Sequence, residues 1–217
     1  MAIQDIFKIP IYEVKLDLDI EKLQSFCKNH QPKGKGRVLS NVGGYQSHDL
    51  SLKDVALQPL IKEIETHSTK FANAFINERC QGIKNMWINI NSYKDTNMAH
   101  RHAGCDLSGV YYVKAPSDCG NIVFEHPAYD LLQYHNILAG VRVWEPEKWS
   151  AYNTIRAGKL AEENTLYLFP GYLKHSVNPS QNKTEERISI SFNTGQMIKE
   201  NKIDHIVAQM FVPRKMD

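Results

Sequence analysis

Residues 165–193 read TLYLFPGYLKHSVNPSQNKTEERISISFN, and the alternation at their end decides the fold. On an extended chain Arg187, Ser189, Ser191 and Asn193 share one face, while Ile188, Ile190 and Phe192 share the other. The apolar face can pack on a covering layer, so the polar face must look into a barrel. An arginine pointed into a protein interior is costly unless an anion meets it. An inward Arg187 therefore asks for a carboxylate or phosphate ligand. Its guanidinium fork fits a carboxylate in bidentate fashion, and Ser189, two residues on, can donate a further hydrogen bond. Two other arrangements fit the same letters: Arg187 on a solvated edge, or Arg187 paired with an Asp or Glu of its own chain. The first half of the stretch, TLYLFPGYLKHSV, is another β-rich run, and His175 stands near its end.

Upstream, MWININSY (86–93), LSGVYYV (107–113) and GNIVFEH (120–126) read as further short strands. The first 80 residues have a different texture. IFKIPIYEVKLDL alternates like a strand, DIEKLQSFCKNH has helical spacing with Asp19 as N-cap, and residues 31–51 form a Gly-rich polar loop. From Ser51 a longer helical signal carries an apolar stripe of Leu60, Ile61, Ile64, Phe71, Ala74 and Phe75, with Pro59 marking either an interruption or the true start. Between Pro127 and Asn164 the β pattern lapses into mixed sequence containing Trp144, Trp149 and Tyr152, the texture of a lid or binding loop. The expected architecture is mainly β in a single domain over 1–217. A helical support layer (1–80) covers a barrel or jelly-roll core (86–195), and 127–164 is a lid or substrate-loop insertion.

A length of 217 residues suits one domain with a sizeable core. The formal net charge of +2, with no clustered Lys/Arg interleaved with aromatics, argues against nucleic acid as a partner. Cys27, Cys80, Cys105 and Cys119 form no CxxC pair, and a chain of this size needs no disulfide framework. The N-terminal stretch has no apolar signal region, and no run is long enough for a membrane span, so the expected compartment is the cytoplasm.

The histidines carry the chemistry. His100 and His102, in MAHRHAG, sit two apart, which on a strand puts both rings on one face within reach of one metal ion. His175 lies about seventy residues on. A facial set of protein ligands with open positions opposite suits Fe(II), which must bind substrate and O2 together. Taken alone, an HxH pair is as readily a surface accident.

Downstream residues change that balance. His175 followed twelve residues later by Arg187-x-Ser189, after HxH, LSGVYYV, GNIVFEHP and LFPGYLKHSV in that order, resembles one group of oxygenases. These are the Fe(II)/2-oxoglutarate oxygenases related to prolyl 4-hydroxylases, in the subgroup found in bacteria and cyanophages. The likeness spans about Trp87 to Asn193, with a weaker echo in NVGGYQS. It implies a double-stranded β-helix, Fe(II) and 2-oxoglutarate with O2, and hydroxylation of a small-molecule or peptide substrate with release of succinate and CO2. It also implies His175 as an iron ligand and Arg187, assisted by Ser189, as the grip on the far carboxylate of 2-oxoglutarate.

The family's common triad is His-x-Asp/Glu plus a distal His, and this chain has His102 where the acid should be. Either the metal takes His100, His102 and His175, or a carboxylate such as Asp106 or Glu125 comes from elsewhere; Asp106 is held in reserve. HxH followed by Asp106 also resembles a cupin metal motif, so a cupin-type metal protein or dioxygenase that does not use 2-oxoglutarate is one alternative. A non-catalytic jelly-roll binding module is the other. Asn89, Asn91, Tyr93 and Tyr112 are further candidates for a substrate or cosubstrate pocket, although aromatic strand residues are commonly core. No membrane partner is expected, and a homodimer is left open.

Overall fold

A computed structural model of the chain describes residues 8–31, 36–75, 81–140, 146–150 and 152–196. Trp144, Cys80 and His205 lie outside these. In chain order the elements are β1 (Tyr12–Lys15), α1 (Ile20–Asn29), β2 (Asn41–Val42), β3 (Tyr45–Gln46), α2 (Gln58–Phe75), β4 (Gln81–Asn91), β5 (Thr96–His100), β6 (Leu107–Lys114), β7 (Ile122–Glu125), α3 (Tyr129–Leu138), β8 (Arg156–Lys159), β9 (Thr165–Pro170), β10 (His175–Val177) and β11 (Arg187–Gln196). Two antiparallel sheets result. One has the order β1-β9-β6-β11-β4-β3, the other β2-β5-β10-β7-β8.

Alternation on β11 sets the layers. Ile188, Ile190 and Phe192 are fully buried on the face of the larger sheet that meets Leu57, Leu60, Ile64 and Phe71 of the helical layer, and Leu23 and Cys27 of α1. Each fully buried Leu or Ile there contributes about 1.5–3 kcal/mol relative to exposure. On the opposite face, between the sheets, Val110, Tyr112, Phe124, Tyr167, Phe169 and Leu173 form a smaller apolar cluster. Mixed polar residues and a cavity fill the rest of that inner space.

Local chemistry explains the helix starts. Asp19 Oδ1 accepts from Lys22 N–H (3.1 Å), as an N-cap should. Pro59 is the second residue of α2, where its missing N–H costs nothing, so it starts the helix rather than breaking it. The stripe is shifted from the expected one. Ala72 and Ser68 are fully buried while Ala74 faces solvent, because the helix meets a twisted sheet. The first 80 residues are also less purely a helical layer than the periodicity suggests, since β1 and β3 extend the larger sheet and β2 edges the smaller. Similarly, 127–164 is not structureless: it holds α3 and β8. No described helix is long and apolar enough to cross a membrane.

Candidate metal and cosubstrate site

β5 and β10 are hydrogen-bonded neighbours, and their register sets His100 directly opposite His175. His102 lies two residues past the end of β5 and is drawn in by the backbone. Its N–H donates to Gly171 O (3.0 Å), while Gly171 N–H donates to Asp106 O (3.1 Å). A Cβ on Gly171 would sit 2.5 Å from Cys105 Sγ and 2.8 Å from Cys105 O, so only glycine lets the His102 loop approach this closely. Ring centroids are 4.4 Å apart for His100–His175, 5.0 Å for His100–His102 and 5.1 Å for His102–His175. One ring nitrogen from each lies within 4.8 Å of the other two.

The outer nitrogens are all committed. His100 Nδ1 meets Met98 O (2.7 Å), His175 Nδ1 meets Leu173 O (2.9 Å) and His102 Nδ1 meets Asn193 Oδ1 (2.6 Å). A carbonyl oxygen only accepts, so each Nδ1 carries the proton and each Nε2 keeps its lone pair. His102 Nε2 is buried and has no hydrogen-bond partner among the described residues. Burial lowers the pKa of all three rings, that of His175 to about 3; at His102 the neighbouring His100 charge adds to the effect. Three neutral imidazoles with converging lone pairs fit a divalent transition metal.

Among the described residues no carboxylate joins this group. The chain turns after His102 at Gly104 (φ 78°) and delivers Asp106 to the start of β6, where its carboxylate accepts from Gln81 Nε2 (3.2 Å). Glu125 is buried between Arg156 (3.0 Å) and Lys174 (2.8 Å). Burial alone would raise its pKa, but the two cations hold it below the usual range. Neither reserve acid reaches the histidines.

Arg187 stands at the other end of the same space and is 2% exposed. Nη1 donates to Cys119 O and Gly120 O (both 2.8 Å), Nη2 donates to Asn91 Oδ1 (2.9 Å), and Nε has no partner among the described residues. No Asp or Glu of the described residues pairs with it. Gly120 (φ 88°) makes the approach feasible, since a Cβ there would lie 3.1 Å from Nη1 and 2.2 Å from Asn178 O. This removes both other arrangements read from the sequence, the solvated edge and the internal ion pair.

Strand register lays the inner face out as a grid. Arg187 pairs with Asn91, Ser189 with Asn89 and Tyr112, Ser191 with Trp87 and Val110, and Asn193 with Asn85 and Ser108. Arg187 therefore closes one end, and Asn193, holding His102, closes the other. Tyr112 is 2% exposed and its hydroxyl pKa is pushed up to about 12 by burial. All these residues except Asn91 line one cavity of about 520 Å³ together with the three histidines. Tyr93 does not join them. β4 ends at Asn91, alternation stops, and Tyr93 lies exposed beneath Lys94 and Lys183.

The rest of the lining includes residues not singled out from sequence, among them Arg37, Leu39, Gln46, Asn97, Met98 and Arg101. None of the described residues of 127–164, Trp149 and Tyr152 included, lines the cavity. Gln46 and Arg37 sit in a stretch read as loop, and only the pairing of Gln46 with Asn89 brings it to the inner face. No periodicity in residues 31–51 announces that.

A family model described as "Putative 2OG-Fe(II) oxygenase" matches residues 85–193. No curated protein matches the sequence. Solved structures share the fold at low identity. A prolyl-4-hydroxylase from Pseudomonas putida superposes with TM-score 0.57 at 11% identity, covering 88% of this chain and 94% of that one. The non-haem α-ketoglutarate-dependent epimerase SnoN of nogalamycin biosynthesis gives 0.60 at 14%, covering 87% and 77%. HygX from Streptomyces hygroscopicus, solved with nickel and 2-oxoglutarate, gives 0.58 at 8%, covering 88% and 84%. The shared architecture is the double-stranded β-helix, and the family match spans half of the chain, including all three histidines and Arg187. This chain belongs to that family of oxygenases, which use Fe(II) and 2-oxoglutarate.

Proposed function

We propose that His100, His102 and His175 hold Fe(II) through Nε2, and that Arg187, assisted by Ser189, holds the far carboxylate of 2-oxoglutarate. The reaction would be hydroxylation of a C–H bond in a peptide or small-molecule substrate. The observation that carries this reading is the unpaired, buried Arg187 at one end of a cavity whose other end is the histidine cluster. A buried guanidinium without a protein anion is stabilised when a ligand carboxylate supplies one.

Bound Fe(II) would supply O2 activation, with 2-oxoglutarate oxidised to succinate and CO2 as the substrate gains one oxygen atom. The chain's own residues do the rest. Met98 O, Leu173 O and Asn193 Oδ1 fix the ring tautomers and orientations. Cys119 O, Gly120 O and Asn91 Oδ1 hold the guanidinium so that its Nε edge stays available. Phe169, Val110 and Tyr112 border the space between, where their apolar surface limits water. With three neutral ligands the protein brings no negative charge to the metal, so charge balance falls on 2-oxoglutarate itself.

The test is a titration of 2-oxoglutarate into the anaerobic Fe(II) protein, followed by the metal-to-ligand charge-transfer band, then succinate release on admission of O2. A band that saturates at sub-millimolar 2-oxoglutarate and succinate formed on oxygenation are expected. No band at millimolar 2-oxoglutarate sinks the assignment of Arg187 and returns the site to the cupin reading.

A further inference from the structure

Seven buried side-chain polar atoms in the described residues lack a hydrogen-bond partner, and three of them belong to residues lining the one cavity: His102 Nε2, Arg187 Nε and Gln46 Oε1. The first two mark the proposed metal and the proposed cosubstrate carboxylate. Gln46 has no such assignment. We infer that Gln46, with Asn89 beside it, forms a subsite that reads an uncharged amide group of the substrate. This rests on the oxygenase reading of the same cavity and deepens it by naming the substrate's chemistry.

Gln46 is 4% exposed on β3, set opposite Asn89 in the pairing of β3 with β4. Its backbone is well used: the carbonyl accepts from Arg37 N–H (2.8 Å). Its side-chain carboxamide makes no hydrogen bond within the described residues. A buried amide left unpaired is unfavourable by the desolvation of that group, so one on a cavity wall is stabilised by a ligand that completes it. Asn89 is in a similar position, donating one amide hydrogen to Ser191 Oγ (3.0 Å) and making no other side-chain hydrogen bond there.

Gln46 stands one strand further from the cosubstrate residues: β4 lies between β3 and β11, and Asn89 on β4 is the direct partner of both Gln46 and Ser189. The lining fixes the charge class. No Asp or Glu of the described residues borders the cavity, so a cationic group finds no partner among them. Arg187 is engaged by the cosubstrate, Arg37 is tied to Asp49 (2.9 Å) and Ser47 O (2.9 Å), and Arg101, which also lines the cavity, is exposed between His100 and His102, so no buried cation is left for an anionic substrate group at Gln46. The remaining polar lining includes the amides and hydroxyls of Asn89, Asn97, Ser40 and Ser191, with Asn89 directly opposite Gln46. A planar carboxamide offering one donor and one acceptor is matched on both atoms by another amide edge, N–H to Oε1 and C=O to Nε2.

The experiment uses the full chain loaded with Zn(II) and 2-oxoglutarate, a diamagnetic, unreactive complex, and follows glutamine side-chain N–H resonances by NMR. The Gln46 pair is assigned by its loss in Gln46→Met. Probes are N-acetylglycine N-methylamide for a peptide source, acetamide for a small-molecule carboxamide, and acetate, methylammonium and ethylene glycol as comparators. One or both amides should shift the Gln46 resonances saturably, and whichever binds tighter names the source. The comparators should not shift them, and Gln46→Met should weaken amide binding about tenfold or more. In the ligand-free protein Gln46→Met should melt at the same temperature or higher, because it removes an unpaired polar group; a purely structural glutamine would give a lower Tm. The inference is overturned if no amide shifts Gln46, if a comparator does so instead, or if Gln46→Met binds amides like wild type. The 2-oxoglutarate titration of the Fe(II) protein, read separately with no amide present, tests the oxygenase reading alone.

Discussion

His100 and His175 face each other as direct partners on two adjacent antiparallel strands, with ring centroids 4.4 Å apart. Two of the three proposed ligands are thus set by a single sheet register, and only His102 depends on a loop. The pair is preorganised by backbone hydrogen bonds that form whether or not metal is bound.

For the metal, Fe(II) or a substitute such as Ni(II) or Zn(II) should sit about 2.0–2.3 Å from Nε2 of all three histidines, the range usual for such bonds. His175→Ala should abolish binding, as measured by calorimetry and by anomalous density at the site. Ordered metal bound elsewhere, with these rings left free, disproves the assignment.

Asp106→Asn should leave Fe(II) affinity within a few-fold of wild type, because the carboxylate is engaged by Gln81 Nε2 rather than by the histidine cluster. A fall by orders of magnitude would make Asp106 a ligand and favour the cupin description.

Asn193 tests what lies behind the ligands. Its Oδ1 accepts from His102 Nδ1 (2.6 Å) and Ser108 Oγ (2.7 Å), and its Nδ2 donates to Asn85 Oδ1 (3.0 Å). Asn193→Leu should lower metal affinity about 10- to 100-fold, the usual loss when such a partner is removed. Asn193→Asp keeps the acceptor and adds charge, so it should recover most of that affinity. Equal loss in both variants, in competition titrations with a chelator, would leave Asn193 a packing residue only.

Arg187→Lys retains a positive charge but loses the planar fork, and should weaken 2-oxoglutarate binding while the metal stays in place. Loss of the bidentate contact should cost on the order of 2–3 kcal/mol, roughly thirty- to a hundredfold in affinity. The charge-transfer titration reads this directly, and a Lys variant that titrates like wild type rules out the role given to Arg187.

The pH dependence of the metal-free protein has a definite sign. Burial lowers His175 to about 3 from an ordinary 6.5, so between those values the unfolded chain binds a proton that the folded one refuses. Stability from this group is complete above pH 6.5 and is lost as pH falls towards 3. Denaturant titrations at pH 7, 6 and 5 should show wild type losing more stability over that window than His175→Gln. Parallel curves would mean that His175 is not buried as described.

The barrel or jelly-roll core and the inward face carrying Arg187 were legible in strand alternation, which is a local property, whereas the double-stranded β-helix came from the resemblance. The face carrying Arg187, Ser189, Ser191 and Asn193 follows from a period of two, whereas His102, beyond the end of β5, joins His100 through its loop and not through that period. The alternating run MWININSY likewise put Asn89 and Asn91 on the inner face, and it misled at Tyr93 only because the strand stops two residues earlier.

What local pattern could not decide is which distant pieces meet. Nothing within residues 31–51 says that Gln46 is to be buried; it becomes so because a two-residue strand pairs Gln46 with Asn89, forty-three positions away. The choice between three histidines and a borrowed carboxylate was likewise open in the letters HRHAGCD. The turn at Gly104 and the close approach of Gly171 favour three histidines, because they hold His102 at the cluster and deliver Asp106 to Gln81. Periodicity fixes which face of an element a side chain takes, whereas register and loop closure between remote elements fix its partner. The histidine cluster, the free edge of Arg187 and the unpaired Gln46 all depend on that second kind of information.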